Sequence, residues 1–275
     1  TAGPAEAGAR IVSAALTLRP LVLLTPSLAA AVELPRRLAS TGRALAGVYP
    51  MKPLDLARAL AEPVLLGQGL LPWTSGHDAL LASRLLAESG EAGLRLPEGT
   101  PRTPVAAALA RTLTALRRGG IAPEQLATLV AGAPPGSDDA RRLASLKRLY
   151  RDFHGALEGR TADPATLFAA AREGLSRARW LEGAEVLVAD DLELDVVEVE
   201  FVAALAAALP VGVLRRALPP SLRPASFRGR LAARGVAEVD WSDTPLAPLA
   251  PPPLPATIAR LREGLFEESR GSALE

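Results

Sequence analysis

The chain has 275 residues, enough for one large domain or two ordinary ones, each with a buried hydrophobic core. It contains no cysteine, so disulfide bonds, thiolate catalysis and cysteine-ligated metal sites are excluded, and a reducing cytoplasmic location is expected. The 31 basic and 30 acidic side chains nearly cancel to a net charge of +1, and the two histidines, His77 and His154, are too far apart for a zinc motif such as HExxH.

Composition and hydropathy favour an aliphatic, mostly helical protein, because 49% of the residues are hydrophobic and only 4% are aromatic. The apolar runs are shorter than the roughly 18 residues that a membrane-spanning helix needs. Residues 1–18 lack the basic start and the apolar stretch of a signal peptide. We therefore expect no membrane association.

The first part of the chain alternates helices with short apolar runs. A helix is predicted over Ile11–Leu18, and the continuous apolar run Leu21–Leu24 is typical of a buried parallel strand. Ser27 can cap a helix that extends from Leu28 to about Ser40. A strand at Gly47–Pro50 and a helix through Leu54, Leu60 and Val64 follow. This order of elements indicates an α/β sheet, whose ligands bind at the carboxyl ends of the strands.

The pattern between about Trp73 and Trp180 is helical. Apolar residues recur at helical spacing, and glycine, proline and serine clusters separate the segments. The predicted helices are Val105–Arg118, Pro123–Val130, Asp138–Leu157 and Pro164–Arg179.

Strand patterns return after this helical stretch. The predicted elements are a strand at Glu185–Ala189, a helix from Val196 to Leu209, strands at Val211–Leu214 and Ala237–Val239, a proline-rich segment at 244–255 and a helix at Ala256–Phe266. The predicted organisation is an α/β domain in two segments, 1–72 and 181–243, a helical insert over 73–180, and a proline-rich linker with a C-terminal helix over 244–275.

The charges are concentrated in two adjacent blocks. From Glu182 to Glu200 there are eight acidic residues and no basic one. From Pro210 to Gly235 there is no acidic residue, and the basic ones are Arg215, Arg216, Arg223, Arg228, Arg230 and Arg234. The second block is a candidate phosphate-binding surface, and a solvated arginine-rich face is the alternative.

The N-terminus has the glycine spacing of a phosphate-binding loop, GxxxxGK[ST], with Gly3 and Gly8 as its glycines. Ala9 occupies the position of the lysine that contacts the phosphates, and Arg10 that of the hydroxyl that holds magnesium. Glu6 adds a negative charge where an anion has to bind. ATP binding is therefore not expected.

Two further segments follow strands. Val186–Val188 lead to Asp190 and Asp191, and paired carboxylates at a strand end hold magnesium in nucleotide hydrolases. An acidic strand end with nothing bound is the alternative. The segment from Thr25 to Leu38 follows the first strand, and its alternative interpretation is a capped helix.

These segments, in this order, resemble the N-terminal helicase-like region of the AddB/RexB family, the inactivated helicase subunit of bacterial ATP-dependent helicase-nucleases. Thr25 to Leu38 resembles the superfamily 1 motif TxTxxAAxEMxxRL, and Asp190-Asp191-Leu192-Glu193-Leu194 falls where those helicases carry DExQD. The resemblance implies a P-loop NTPase fold, similar to helicase domain 1A, whose parallel sheet is interrupted by an all-helical insert.

The chain departs from active helicases at the positions that hydrolyse ATP. They would have lysine at Ala9, glutamate at Asp191 and glutamine at Glu193. The resemblance therefore implies a degenerate nucleotide site formed by Gly3, Gly8, Ala9, Arg10, Asp190, Asp191 and Glu193, with no catalytic residue, no metal and no cofactor.

The same resemblance implies that the segment holds or guides DNA and docks an AddA-type helicase-nuclease subunit during double-strand-break repair. Thr25 and Ser27 would lie near the backbone of a single strand, with Lys52 beside them. The arginine block would add phosphate contacts, and the candidate DNA-binding residues are Thr25, Ser27, Lys52, Arg215, Arg216 and Arg228.

Two alternative functions remain open from the sequence. A protein-interaction scaffold, in which the arginine block meets an acidic partner, would bind neither DNA nor nucleotide. A residual nucleotide-binding enzyme, in which Asp190 and Asp191 still bind magnesium, would be stabilised by ATP.

Overall fold

The computed structural model describes residues 20–39, 47–74, 76–89, 99–131, 134, 136–189, 192–215 and 226–240. The helices predicted at Ile11–Leu18 and Ala256–Phe266 and the proline-rich segment lie outside these residues, as do Gly3, Gly8, Ala9 and Arg10.

The described part of the chain forms a mixed α/β structure around one parallel sheet. The first half of the sheet region contains β1 (Leu21–Leu24), α1 (Leu28–Ala39), β2 (Val48–Met51) and α2 (Pro53–Gln68). A short strand, β3 (Leu71–Pro72), follows α2. The second half contains β4 (Thr161–Ala162), α7 (Pro164–Gly174), β5 (Glu185–Ala189), α8 (Val196–Ala208), β6 (Val211–Arg215), α9 (Ser226–Ala232) and β7 (Ala237–Asp240).

Among the described residues between β3 and β4 there are four helices, and we call them the four-helix region. They are α3 (His77–Glu88), α4 (Arg102–Arg118), α5 (Pro123–Ala131) and α6 (Asp138–Leu157). β3 and β4 pair with each other in parallel, with Leu71 opposite Thr161 and Pro72 opposite Ala162. The chain therefore leaves for the four-helix region and returns from it side by side.

The main sheet has five strands in the order β2-β1-β5-β6-β7, and every neighbouring pair is parallel. Its central strands are buried on both faces, which explains their continuous apolar sequences. The five predicted strands are therefore confirmed, with bounds that differ by at most one residue. The parallel α/β class is also confirmed.

Side chains that alternate along β1 and β5 contribute to one hydrophobic core with α2, α7 and α8. Its members include Val22, Leu24, Val186, Val188, Leu60, Phe168 and Phe201. The four-helix region has a separate core, which includes Leu85, Leu113, Leu149, Tyr150 and Phe153. The predicted insert over 73–180 thus divides between two cores, because α7 packs with the sheet.

Three details differ from the sequence prediction. The helix predicted over Pro164–Arg179 ends at Gly174, where 3-10 hydrogen bonds replace the α-helical ones: the Ala178 N–H donates to the Leu175 carbonyl at 3.2 Å, and the chain continues as two 3-10 turns. The insert was expected to be all-helical, but β4 lies within it. This strand was not predicted because two residues are too few to give a strand pattern. The helices α3 and α9 were not predicted.

Candidate nucleic-acid interface

The strand order places a topological switch point between β1 and β5. From β1 the chain moves to β2 at one side, whereas from β5 it moves through β6 to β7 at the other. In open α/β sheets, ligands bind outside the carboxyl ends of the strands at such a point. The register pairs Leu24 with both Met51 and Val188, so β2, β1 and β5 end at the same level. The three segments that follow β1, β2 and β5, which begin at Thr25, Lys52 and position 190, therefore start at one edge of the sheet.

Thr25, the first residue after β1, is buried, with 1% of its surface exposed. Its backbone N–H donates to the Met51 carbonyl at 3.0 Å, and its hydroxyl donates to the Ser27 carbonyl at 3.2 Å. Thr25 therefore holds the turn between β1 and α1 in place, and its hydroxyl is directed at the protein backbone.

Ser27 caps α1 and is exposed to solvent. Its hydroxyl oxygen accepts a hydrogen bond from the Ala30 backbone N–H at 3.1 Å, which confirms the predicted cap. The hydroxyl proton is not used in this bond and can be donated to a phosphate oxygen. The first-turn amides of α1 lie beside it, and a helix N-terminus favours anions.

Lys52 follows β2 directly and occupies the N-cap position of α2 without a side-chain cap bond. Its side chain is 46% exposed, and its ammonium group is 3.9 Å from an Asp55 carboxylate oxygen. Arg58 approaches the other oxygen of the same carboxylate at 3.9 Å. Exposed pairs of this kind contribute little to stability, so Lys52 can exchange Asp55 for a phosphate.

The segment after β5 is fixed at two points. The Leu192 backbone N–H donates to the Ala189 carbonyl at 3.3 Å, and the Leu194 carbonyl accepts from the Arg230 guanidinium at 3.0 Å. Leu192 and Leu194 are buried, and Glu193 between them is exposed. Asp190 and Asp191 lie outside the described residues, which contain no group of three His, Cys, Asp or Glu side chains that could hold a metal.

The arginine block divides into two groups. Arg230 holds the Leu194 carbonyl, and Arg234 forms an ion pair with Glu200 on α8 and donates to the Arg230 carbonyl at 3.1 Å. These two arginines attach α9 and the turn after it to α8 and to the segment that precedes α8. The side chains of Arg215 and Arg228, and the whole of Arg216 and Arg223, lie outside the described residues.

Two arginines that no sequence pattern singled out connect the four-helix region to the sheet region. They are the last two residues of α4, Arg117 and Arg118. Arg117 donates to both carboxylate oxygens of Asp163, through Nη2 at 2.8 Å to one of them, and to the Thr166 hydroxyl at 3.1 Å. Both side chains of the pair are nearly buried, at 10% and 3% exposed. Asp163 also caps α7 through the Thr166 N–H at 3.0 Å.

Burial and charge act in opposite directions on this cluster. Burial alone would raise the pKa of Asp163, but the hydrogen bond and charge of Arg117, with the hydrogen bonds from Thr166, hold that pKa below its ordinary value. Burial and the Arg117 charge both lower the pKa of His154, whose Nδ1 lies 3.1 Å from an Arg117 nitrogen. Arg117 is always a donor, so His154 accepts through Nδ1 and is neutral.

Arg118 points to α8. Its guanidinium pairs with Asp195 and lies 3.3 Å from a Glu198 carboxylate oxygen. Asp195 and Glu198 form a capping box, in which each side chain accepts from the other's backbone N–H at 3.0 Å. Burial is the largest effect on Glu198 and raises its pKa.

The contacts of Arg117 and Arg118 with the starts of α7 and α8 form a joint between the four-helix region and the sheet region. The residues of this joint carry recognisable signals in the sequence. Asp163-Pro164 is a typical N-cap followed by proline at the first helical position, Asp195-x-x-Glu198 is a capping box, and Arg117-Arg118 precede two glycines at a helix end. No local pattern says which arginine meets which cap.

No protein-family model matches the chain, and no curated protein shows significant similarity to it. Among the described residues, no helix is long and apolar enough to cross a membrane.

Proposed function

We propose that this chain is a non-hydrolysing helicase-like module of an AddB-type helicase-nuclease subunit, which holds or guides a DNA strand at the carboxyl edge of its sheet. In this proposal the α/β structure is a P-loop NTPase fold that has lost ATP hydrolysis. The module acts in the cytoplasm, in double-strand-break repair, and docks an AddA-type motor subunit.

The observation that carries the proposal is the common level at which β2, β1 and β5 end. It supports a single site because Ser27, Lys52 and the segment that contains Asp190 and Asp191 each follow one of these adjacent strands. Parallel sheets bind ligands at such an edge.

The chemistry of the described side chains fits a phosphate backbone better than a base. Ser27 and Lys52 are exposed donors beside the N-termini of α1 and α2, and backbone amides, hydroxyls and lysines are typical phosphate contacts. Thr25 acts as a positioning residue in this site, because its hydroxyl sets the turn that presents Ser27. Arg215, Arg216 and Arg228 extend the same phosphate contacts.

The departures from active helicases support the non-hydrolysing part of the proposal. Glu193 is exposed and stands where active helicases carry the glutamine that senses the γ-phosphate, a role that a carboxylate does not fill. Lysine is absent from position 9, where Ala9 stands. The module therefore needs no ATP and no magnesium to bind DNA.

The test is fluorescence anisotropy of labelled single-stranded DNA over a series of salt concentrations, with and without ATP and magnesium. We expect binding that weakens steeply with salt and does not respond to ATP. The Lys52→Gln variant should reduce the salt slope by about 0.7, the contribution of one single-strand phosphate contact. The chain's other lysine, Lys147, is exposed on α6, so Lys147→Gln is the matched control and should leave the slope unchanged.

A second matched pair separates DNA contact from helix capping. Ser27 and Ser137 both cap helices, with cap bonds of 3.1 and 3.0 Å, so replacing either by alanine should cost about 1 kcal/mol of stability. Only Ser27→Ala should weaken DNA binding. The triple variant Arg215→Glu, Arg216→Glu, Arg228→Glu should abolish it. ATP-dependent binding would instead favour the residual nucleotide-binding enzyme, and no binding at low salt would favour the scaffold.

A further inference from the structure

Two short adjacent strands, β3 and β4, form the chain connection between the four-helix region and the sheet region. β3 and β4 are two residues each, and the Leu71 N–H donates to the Arg160 carbonyl at 3.0 Å beside them. The two hydrophobic cores are separate. Two adjacent strands that leave and return together can act as a hinge, because few backbone angles have to change when one body turns relative to the other.

The acidic partners of Arg117 and Arg118 lie at different distances from this hinge along the chain. Asp163, the partner of Arg117, immediately follows β4, and this ion pair is nearly excluded from water. Asp195 and Glu198, the partners of Arg118, lie on the other side of β5 at the start of α8. The ion pair of Arg117 with Asp163, which we call the inner pair, is therefore at the hinge. The ion pair of Arg118 with Asp195 and Glu198, which we call the outer pair, is remote from the hinge.

The outer pair is also more accessible to solvent. The Arg118 side chain is 42% exposed, that of Asp195 is 23% exposed and that of Glu198 is 9% exposed. Salt and water compete more effectively for a partly exposed ion pair than for a buried one. Beside the outer pair, the turn after α4 lies close to the start of α8, because a side chain added at Gly120 would lie 3.5 Å from a Val196 methyl group.

We propose that the four-helix region turns about the β3–β4 pair, with Arg117 and Asp163 as a fixed pivot and Arg118 as a latch on Asp195 and Glu198. When the latch opens, the N-terminus of α8 becomes accessible. The motion goes beyond the proposed function and does not depend on DNA binding. It makes access to the start of α8 sensitive to ionic strength.

The latch can be tested by distance measurement between two spin labels, because the chain has no cysteine that would react with them. Ala144→Cys on α6 and Ala207→Cys on α8 place labels on two exposed positions. At low salt we expect one main distance. Arg118→Ala should increase the population at a second distance by about two- to fivefold, the range expected for loss of a partly exposed ion pair. Arg118→Lys, which keeps the charge, should largely restore the original distribution.

Two controls isolate the motion. Arg111 is exposed on the same helix, so Arg111→Ala should leave the distribution unchanged. Labels at Gln68→Cys and Ala207→Cys, both in the sheet region, should report a constant distance in every variant. If Arg118→Ala fails to fold, as judged by circular dichroism, the salt series on the unsubstituted latch decides. A distribution that is the same from low to high salt overturns the proposal, as does one that is the same with and without Arg118.

Discussion

The packing inside the sheet region differs in kind from the joint that holds the four-helix region. α2 and α7 meet through apolar side chains of one core, so closely that a side chain on Gly174 would overlap the Leu60 carbonyl oxygen. The four-helix region is attached through Arg117 and Arg118, which bind the N-caps of α7 and α8. The first contact depends on shape and burial, and the second depends on charge. Substitutions should therefore act on the two regions by different mechanisms.

Removing the carboxylate at the pivot should have the largest effect. Asp163→Ala leaves the Arg117 guanidinium buried without its partner and removes the cap of α7. Breaking a buried ion pair in this way typically costs about 3–5 kcal/mol of unfolding free energy. Urea unfolding followed by circular dichroism measures the loss.

The matched control for this variant is Asp152→Ala. Asp152 pairs with Arg151 on the surface of α6, and its loss should change stability by less than about 0.5 kcal/mol. A double variant, Arg117→Ala with Asp163→Ala, should lose less than the two single variants together, since neither charge is then left alone. Additive losses of unfolding free energy would show that the Arg117–Asp163 ion pair does not hold the four-helix region to the sheet region.

The apolar contact between α2 and α7 can be tested by replacing glycines with alanine. Gly174→Ala should destabilise the protein by about 1–3 kcal/mol, because the new methyl group has to displace the backbone of α2. Gly155 lies in α6 with no atom within 4 Å of its potential side chain. Gly155→Ala should therefore stabilise the protein by about 0.4–1 kcal/mol through helix propensity. The same substitution thus has opposite signs in the two regions, and equal signs in urea unfolding would contradict the comparison.

Sequence patterns were sufficient for most of the elements. Apolar runs identified the strands of the main sheet, and helical spacing with glycine and proline boundaries gave α6 with the observed bounds. These signals are local, because burial of a strand or of one helix face has to be repeated every two to four residues. The short pair β3 and β4 could not be identified, since four residues carry no such repeat.

The joint and the site depended on contacts between distant residues. Arg117 and Asp163 are 46 residues apart, and Arg118 and Asp195 are 77 apart. A single sequence indicates that each residue ends or begins a helix but does not indicate their pairing. Similarly, the arginine block was a candidate phosphate-binding surface in the sequence, whereas Arg230 and Arg234 bind Leu194 and Glu200 within the fold.

The smallest expected effect concerns the pH dependence of the joint. His154 has a pKa below its ordinary value of 6.5 because of burial and the Arg117 charge. In the unfolded chain it gains a proton at a higher pH than in the folded protein. Its contribution to stability is therefore complete above about pH 6.5 and is lost as the pH falls through the lowered pKa. His154→Gln, which keeps a hydrogen-bond acceptor for Arg117, should reduce the loss of stability between pH 7 and pH 5.

The chain's other histidine provides the control for this measurement. His77 is exposed at the start of α3, and its ring nitrogen lies 3.4 Å from the Thr74 hydroxyl. His77→Gln should retain the pH dependence of the unsubstituted protein in urea unfolding at pH 5, 6, 7 and 8. If both variants lost stability with pH as the unsubstituted protein does, protonation of His154 would not oppose Arg117 at the pivot. The pivot would then rest on the Asp163 carboxylate alone, and acid would loosen the pivot when Asp163 itself is protonated, below the ordinary carboxyl range.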